Sequence, residues 1–182
     1  MKVFMTVSTI ILAAGKGTRM KSPKPKVLHK IAGKYLLGFS VELSKDIKSK
    51  ETIVVVGKEK ELVMKKAFFD EKIKFCVQRK QLGTADAVKI ALKNLKAKTM
   101  HTLVLYGDTP FIRKSTIKRM ISRAEKGFEF VYLGFQPQTK NDYGKFKLGP
   151  KKTLIDIIEK NEPGYNFTEC LANSGILLAK SS

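Results

Sequence analysis

The sequence has few of the residues that stabilise small secreted proteins or hold structural metals. Its 182 residues include no Trp, two Cys and two His. Cys76 and Cys170 lie far apart and belong to no CxxC motif or Cys/His cluster. This excludes a disulfide scaffold and argues against a structural zinc site. We therefore expect two reduced, mostly buried thiols.

Long hydrophobic runs are also missing. No stretch approaches the ~20 apolar residues that cross a bilayer. Lys2 and the apolar residues 3–14 imitate a secretory signal, but Thr6, Ser8 and Thr9 interrupt the run. A buried first strand that leads into a glycine turn explains this segment better. The sequence therefore predicts a cytoplasmic protein without a membrane span.

Acidic residues are scarce, with 16 Asp+Glu against 36 Lys+Arg and a formal net charge of +20. Such a charge attracts phosphate-bearing ligands, nucleic acid or anionic membranes. Only five of the basic residues are Arg, and the Lys residues are spread from Lys2 to Lys180. Protein sites that bind phosphates or nucleobases specifically use Arg more often than Lys. The dispersed Lys residues are therefore more typical of solvent-exposed surfaces than of a continuous nucleic-acid-binding surface. A basic nucleic-acid-binding module remains an alternative.

The apolar pattern predicts one α/β domain of 182 residues. A hydrophobic content of 43% is typical of a globular protein. Strand-like runs occupy 7–12, 52–56, 73–77 and 102–106, and helical runs occupy 34–47, 59–69, 84–95 and 115–126. Four further strand-like runs follow at 128–135, 146–148, 153–159 and 171–179. This order predicts a doubly wound sheet with a mixed or antiparallel extension and ligands at the carboxyl ends of its strands. We further expect Thr84 to cap its helix and His101 to be exposed.

A glycine-rich turn after the first strand is the most informative segment. It is the sequence Leu12-Ala-Ala-Gly-Lys-Gly-Thr-Arg-Met20, followed by Pro23-Lys-Pro-Lys26. Small residues let backbone N–H groups approach an anion, and Lys16, Arg19 and Lys26 add three cations. The spacing excludes a Walker A loop and the dinucleotide fingerprint, because neither GKS/GKT nor a third glycine follows. We therefore predict a phosphate site of another kind.

Four ordered motifs resemble one enzyme family. Besides the glycine loop they are Gln78-Arg-Lys-Gln-Leu-Gly-Thr-Ala85, Tyr106-Gly-Asp-Thr-Pro110, and a group formed by Asp142-Tyr-Gly144, Ile158-Glu-Lys160 and Asn173-Ser-Gly175. Together they resemble the sugar-phosphate nucleotidyltransferases, and more narrowly the N-terminal uridylyltransferase domains of bacterial bifunctional N-acetylglucosamine-1-phosphate uridyltransferases. The resemblance covers residues 7 to about 178. It implies a Rossmann-like, nucleotide-diphospho-sugar transferase fold.

The resemblance also implies a role for each matching residue. Catalytic roles fall on Arg19, Lys26 and Asp108, and Asp108 would also hold magnesium. Nucleotide binding falls on Leu12, Ala13, Ala14, Gly15, Lys16, Gly17, Thr18, Gln78, Gln81, Gly83 and Thr84. Sugar binding falls on Tyr106, Gly107, Gly144, Glu159 and Asn173. The chemistry agrees, since a side-chain amide suits the donor and acceptor edge of uracil and a carboxylate suits Mg²⁺.

The implied reaction transfers a uridylyl group from UTP to N-acetylglucosamine 1-phosphate, giving pyrophosphate and UDP-N-acetylglucosamine, a precursor of peptidoglycan and lipopolysaccharide. Some residues depart from the family pattern. Asp86 stands where a histidine is common, and Lys145 stands where an arginine is usual. The family's second metal ligand and its acetyltransferase β-helix domain would lie beyond Ser182. Three interpretations stay open: a working transferase, alone or completed by a second copy or another chain, a weak or inactive nucleotide-binding homologue, and the basic nucleic-acid module.

Overall fold

The structure, a computed structural model, describes residues 5–15, 17, 20–66, 73–139, 141–165 and 171–181. The chain forms two compact units. The first comprises residues 1–131 and 178–182, and the second comprises residues 132–177. The strands are β1 (Val7–Ala13), β2 (Lys30–Ile31), β3 (Lys34–Tyr35), β4 (Thr52–Val56), β5 (Ile73–Val77), β6 (His101–Tyr106), β7 (Phe130–Phe135), β8 (Lys145–Leu148), β9 (Leu154–Ile158) and β10 (Ala172–Lys180). The helices are α1 (Leu36–Asp46), α2 (Lys60–Lys66), α3 (Thr84–Asn94) and α4 (Lys114–Ala124).

A parallel sheet forms the centre of the first unit, with strand order β5-β4-β1-β6. Ile11 of β1 pairs with Val54 on one side and with Leu105 on the other. Every residue of β1 and β4 is buried. Strands buried along their whole length are typical of parallel sheets that are covered on both faces, and their uninterrupted apolar runs explain why they were predictable. The predicted α/β class is confirmed.

The order of the strands marks where a ligand should bind. The chain runs outward from β1 through β4 to β5 and then returns to place β6 on the opposite side of β1. Such a reversal leaves a crevice outside the carboxyl ends of the two strands that flank it, here β1 and β6. The glycine turn follows β1, and the Gly107-Asp108 pair follows β6. The topology therefore brings these two sequence motifs to one place.

The second unit contains antiparallel strands, as the second half of the sequence predicts. Strand β8 pairs with β9, where Phe146 lies opposite Ile157, and with β10, where Lys145 lies opposite Ala172. Strand β7 pairs with β10. The rings of Tyr132 and Phe146 pack edge to face at 6.0 Å. The first two residues of β7 and the last three residues of β10 belong to the first unit.

Two local expectations are wrong. His101 is buried, because it is the first residue of β6 and pairs with Val7 instead of preceding the strand. Burial lowers the pKa of His101, and the nearby Lys180 ammonium lowers it further. Thr84 does not cap α3, because Gly83 occupies the N-cap with a φ of 104° and Thr84 is the first helical residue.

The expectation of a buried thiol is confirmed for Cys76, and burial raises the pKa of its thiol. A raised pKa keeps this thiol protonated and unreactive. Cys170 lies outside the described residues. In the described ranges, no helix is long and apolar enough to span a membrane.

Glu51, immediately before β4, is a buried acid with three hydrogen-bond donors. Its carboxylate accepts from Lys74 Nζ at 2.5 Å and from the backbone N–H groups of Lys96 and Ala97 at 2.8 and 2.7 Å. Burial by itself raises the pKa of Glu51, but these hydrogen bonds outweigh it, and the resulting pKa lies below the ordinary 4.5. A lowered folded-state pKa stabilises the protein above pH 4.5, and this stabilisation is lost as the pH falls through the folded value.

We expect Glu51→Gln to lower the free energy of unfolding by about 2 kcal/mol at pH 7, because hydrogen bonds to a charged acceptor are replaced by weaker ones. Urea unfolding at pH 7 and at successively lower pH measures the effect. The difference from the wild type should shrink as the pH falls below 4.5. Glu129→Gln is the control, since the Glu129 side chain forms an exposed ion pair with Lys180 and such pairs contribute little. An equal loss at all pH values would contradict the role of the charge.

Candidate active site

The glycine turn after β1 packs directly against Lys26. Gly17 has a φ of 60°, and a Cβ at this position would lie 3.0 Å from Lys26 Cβ. The positive φ therefore favours glycine here, and a side chain would also crowd Lys26. Among the residues that the structure describes, no atom would lie within 4 Å of a Cβ on Gly15. Lys16, Thr18 and Arg19, which the sequence predicts to bind the triphosphate or act in catalysis, lie outside the described residues.

Lys26 forms an ion pair with Asp108. Lys26 Nζ lies 2.6 Å from Asp108 Oδ2, with 40% of the lysine and 25% of the aspartate side chain exposed. Lys26 begins a short 3-10 turn, and the next two residues, Val27 and Leu28, are buried. That packing fixes the base of the Lys26 side chain. The structure thus brings together the two predicted catalytic residues that it describes, with both charged groups accessible to a ligand.

Gly107 fixes the position of Asp108. The Gly107 N–H donates to the carbonyl of Leu12 at 2.9 Å. A Cβ at Gly107 would lie 3.1 Å from side-chain atoms of Val27 and Leu37, so a larger residue would force these neighbours to shift. The carbonyl of Tyr106 accepts hydrogen bonds from Ser40 Oγ at 2.8 Å and from Thr109 Oγ1 at 3.0 Å. The predicted sugar-binding pair Tyr106 and Gly107 therefore lies at the carboxyl end of β6, beside Asp108.

The segment after β5 is tied to the glycine turn through Gln81. Gln81 Nε2 donates to the carbonyl of Ala14 at 2.5 Å. A Cβ on Gly57, which follows β4, would lie 3.1 Å from the same carbonyl. The carboxyl ends of β1 and β4 and the 78–84 segment thus meet around Ala14. Leu12, Ala13, Ala14, Gln81, Gly83 and Thr84 are the predicted nucleotide-binding residues in this part of the first unit.

Gln78 differs from Gln81, because its side chain is only 4% exposed. Gln78 Nε2 donates to the carbonyl of Gly83 at 3.0 Å and to Asp86 Oδ2 at 2.8 Å. The sequence predicts a nucleotide-binding role for Gln78 but none for Asp86. A signal was present, since Asp86 is an acid in the first turn of α3, directly after the predicted binding segment. The sequence alone does not show which N–H group donates a hydrogen bond to this carboxylate, because that depends on the tertiary structure.

The predicted sugar-binding residues of the second unit lie together. A Cβ on Gly144 would lie 2.8 Å from Glu159 Oε1, so the carboxylate of Glu159 covers this glycine. The backbone N–H of Asn173 donates to the carbonyl of Gly144 at 2.8 Å. Lys145 is fully buried, and its Nζ donates to Asn141 Oδ1 at 2.6 Å. Gly144, Glu159 and Asn173 therefore form one polar cluster within this unit.

A metal site made of protein groups alone is not found among the residues that the structure describes. No group of three or more His, Cys, Asp or Glu side chains in those ranges is arranged to hold a metal ion. Asp108 supplies one accessible carboxylate. This suits Mg²⁺, which commonly binds one or two carboxylates and takes its remaining ligands from substrate phosphates and water. The donor set therefore fits a metal that arrives with a nucleotide.

Comparison with known proteins identifies relatives over most of the chain. Residues 9–161 match the family model of the MobA-like NTP transferase domain. The protein named bifunctional protein GlmU of Cereibacter sphaeroides strain ATCC 17023 is 39% identical over 178 residues, which is 97% of this chain and 39% of that protein. The protein of the same name from Parvibaculum lavamentivorans is 43% identical over 154 residues, or 84% of this chain and 34% of that protein. The chain thus spans less than half the length of these curated relatives.

Solved structures share the fold. Mannose-1-phosphate geranyltransferase from Thermus thermophilus superimposes with a TM-score of 0.76 at 24% identity, covering 97% of this chain and 58% of that one. HddC from Yersinia pseudotuberculosis, solved with GMP-PN, gives a TM-score of 0.71 at 24% identity, covering 97% and 77%. At these identities the likeness shows the fold alone.

Proposed function

Because the chain belongs to the family of MobA-like NTP transferase domains, we propose that it transfers a uridylyl group from UTP to N-acetylglucosamine 1-phosphate, with release of pyrophosphate. The observation that supports this most directly is the pairing of Lys26 with Asp108 beside the glycine turn, at the reversal of strand order in the first unit. In this proposal residues 1–182 form a nucleotidyltransferase domain that works in the cytoplasm. Its product, UDP-N-acetylglucosamine, would feed the synthesis of cell-wall polymers.

Nucleotidyl transfer needs no protein nucleophile. An oxygen of the sugar phosphate attacks the α-phosphorus in line, and pyrophosphate leaves from the opposite side. The chain therefore has to position two polyanions and neutralise the charge that develops between them. The backbone N–H groups of the glycine turn, with Lys16, Thr18 and Arg19, would bind the triphosphate. Lys26, at the edge of that turn, would neutralise the α-phosphate.

Magnesium is the proposed cofactor, and Asp108 is its proposed protein ligand. When bound, Mg²⁺ would supply charge neutralisation at the phosphates. In the chain itself, Lys26 balances the charge of Asp108 at 2.6 Å. In the proposed complex, Lys26 would contact a phosphate and Asp108 would hold the cation. The pair thus keeps both groups in place before the substrates bind.

Base and sugar recognition are assigned to different residues. Gln78, Gln81, Gly83 and Thr84 would bind uracil and ribose, which is supported by the hydrogen bond that ties Gln81 to the glycine turn. Tyr106, Gly107, Gly144, Glu159 and Asn173 would bind the amino sugar. The close cover of Gly144 by Glu159 supports a role in which the carboxylate accepts hydrogen bonds from sugar hydroxyls.

Incubation of the chain with UTP, N-acetylglucosamine 1-phosphate and Mg²⁺ tests the proposal. We expect continuous pyrophosphate release that requires the sugar phosphate and stops when the Mg²⁺ is chelated. The reaction without sugar phosphate is the control for simple UTP hydrolysis. Calorimetric titration of UTP into the same preparation separates binding from turnover.

UTP binding without turnover would contradict the transferase and support the nucleotide-binding homologue. If UTP does not bind, the basic surface becomes the main feature of the chain, and binding of a random oligonucleotide would then fall steeply with salt.

A further inference from the structure

The side-chain amide of Gln78 is held in one orientation. Its nitrogen has two partners, the carbonyl of Gly83 at 3.0 Å and the carboxylate of Asp86 at 2.8 Å. Both partners can only accept hydrogen bonds. An inverted amide would place Gln78 Oε1 against these two oxygens and lose both bonds. The chemistry of the partners therefore decides which end of the amide is nitrogen.

This orientation leaves Gln78 Oε1 on the other side of the amide as an acceptor. Within the described part of the chain, no hydrogen bond to Oε1 is found. Gln78 as a whole is 4% exposed, but its Oε1 is not one of the fully buried side-chain atoms that lack a partner, so this atom keeps some access from outside. A ligand N–H that reaches it would gain a hydrogen bond at an acceptor that no described protein group uses.

Asp86 is the partner that makes the orientation permanent. It is the third residue of α3, which begins after the Gly83 N-cap. An ionised carboxylate has no proton to donate, so it cannot support the inverted amide. A neutral residue that both donates and accepts would permit either orientation.

We infer that Asp86 is a positioning residue that fixes Gln78 as a hydrogen-bond acceptor and thereby selects nucleobases with an N–H donor at this point, such as the N3–H of uracil, over cytosine, whose N3 is an acceptor. The inference rests on the proposed nucleotide site. A base that presents a lone pair to Gln78 Oε1 would meet repulsion and leave the acceptor unpaired. Selection of this kind acts on binding and leaves the chemical step unchanged.

The test compares UTP and CTP in the wild type, Asp86→Asn and Asp86→Ala. Asparagine has the shape of aspartate but can donate or accept, so it releases the amide of Gln78 without removing volume. We expect the preference for UTP over CTP, measured as the ratio of their dissociation constants, to fall about tenfold in both variants, the equivalent of about one hydrogen bond. The kcat with UTP should stay close to that of the wild type, while its KM rises.

Lys89→Gly controls for a purely structural role of Asp86 in α3. Lys89 belongs to the same helix, and glycine weakens the helix without altering Gln78. This variant should keep the wild-type preference for UTP. A wild type that binds UTP and CTP equally, or Asp86 variants that retain the preference, would overturn the inference alone. A wild type that binds neither nucleotide would overturn the proposed function as well.

Discussion

Asp108→Ala is expected to reduce Mg²⁺-dependent turnover by about 1,000-fold or more, the scale of losing one preorganised charge-stabilising group in an active site. The proposed metal would lose the protein carboxylate that lies beside Lys26. The variant should fold normally, because the Asp108 side chain is partly exposed and its ion pair is accessible to water. Pyrophosphate release at increasing Mg²⁺ concentrations measures the effect, and added Mg²⁺ should not restore the rate.

A second measurement on the same variant distinguishes a metal ligand from a structural residue. Without a metal, the Asp108 carboxylate repels a triphosphate and occupies Lys26. Asp108→Ala should therefore bind UTP more tightly than the wild type in the presence of a chelator. Asp46→Asn removes an exposed carboxylate at the end of α1 and should change neither property. Unchanged turnover in Asp108→Ala would refute the metal assignment.

Lys26→Met is expected to lower kcat by about 100-fold or more, since the ammonium group is proposed to neutralise the α-phosphate as it is attacked. Methionine keeps most of the aliphatic stem, including the Cβ that packs against Gly17. The loss should therefore reflect charge and not a collapse of the turn. Steady-state kinetics with UTP at saturating sugar phosphate measure kcat and KM separately.

Lys180→Met is the matched control for Lys26→Met. Lys180 pairs with Glu129 on the surface, where both side chains are more than half exposed. The substitution removes the same charge from the same unit of a very basic chain. If both variants lose UTP affinity equally and kcat is unchanged, Lys26 acts only through the general positive potential and not as a catalytic group.

The regular elements could be predicted closely from the sequence. The runs predicted at 52–56 and 73–77 coincide with β4 and β5, and the end of β1 differs by one residue. These strands have continuous or nearly continuous apolar sequences because the sheet is covered on both faces. Helix α3 is similarly clear, with apolar residues at helical spacing and a glycine at its start. Where burial requires apolar residues, their spacing in the sequence indicates the strand or helix.

The hairpin of β2 and β3 could not be predicted in this way. Each strand has two residues, and neither strand is buried. The turn between them consists of Ala32 and Gly33, both with positive φ, at 48° and 79°. An alanine with positive φ is uncommon, so its presence in the sequence does not predict a turn. The hairpin therefore depends on neighbouring contacts, among them the hydrogen bond from the Leu36 N–H to the carbonyl of His29 at 2.9 Å.

The candidate site likewise contains residues that could be predicted from the sequence and a contact that could not. The resemblance was sufficient to select Lys26, Asp108 and Gln81, and the structure brings each of them to the carboxyl ends of the parallel strands of the first unit. It did not indicate that Asp86 holds Gln78, because that contact depends on how α3 begins relative to the end of β5. Partners of this kind are set by three-dimensional packing, which spacing along the chain does not encode.

The pairing of Val7 with His101 has a consequence for how the protein folds. Strand β1 lies between β4 and β6, and β6 follows it by about half the length of the chain. Closing so large a loop costs entropy before the contact returns any stabilisation, and such long-range parallel pairing is slow. Until β6 docks, the apolar β1 has an unpaired edge that can associate with other chains. The candidate site needs the end of β6 beside that of β1, so a nucleotide bound there would stabilise the folded state over intermediates in which β6 has not docked.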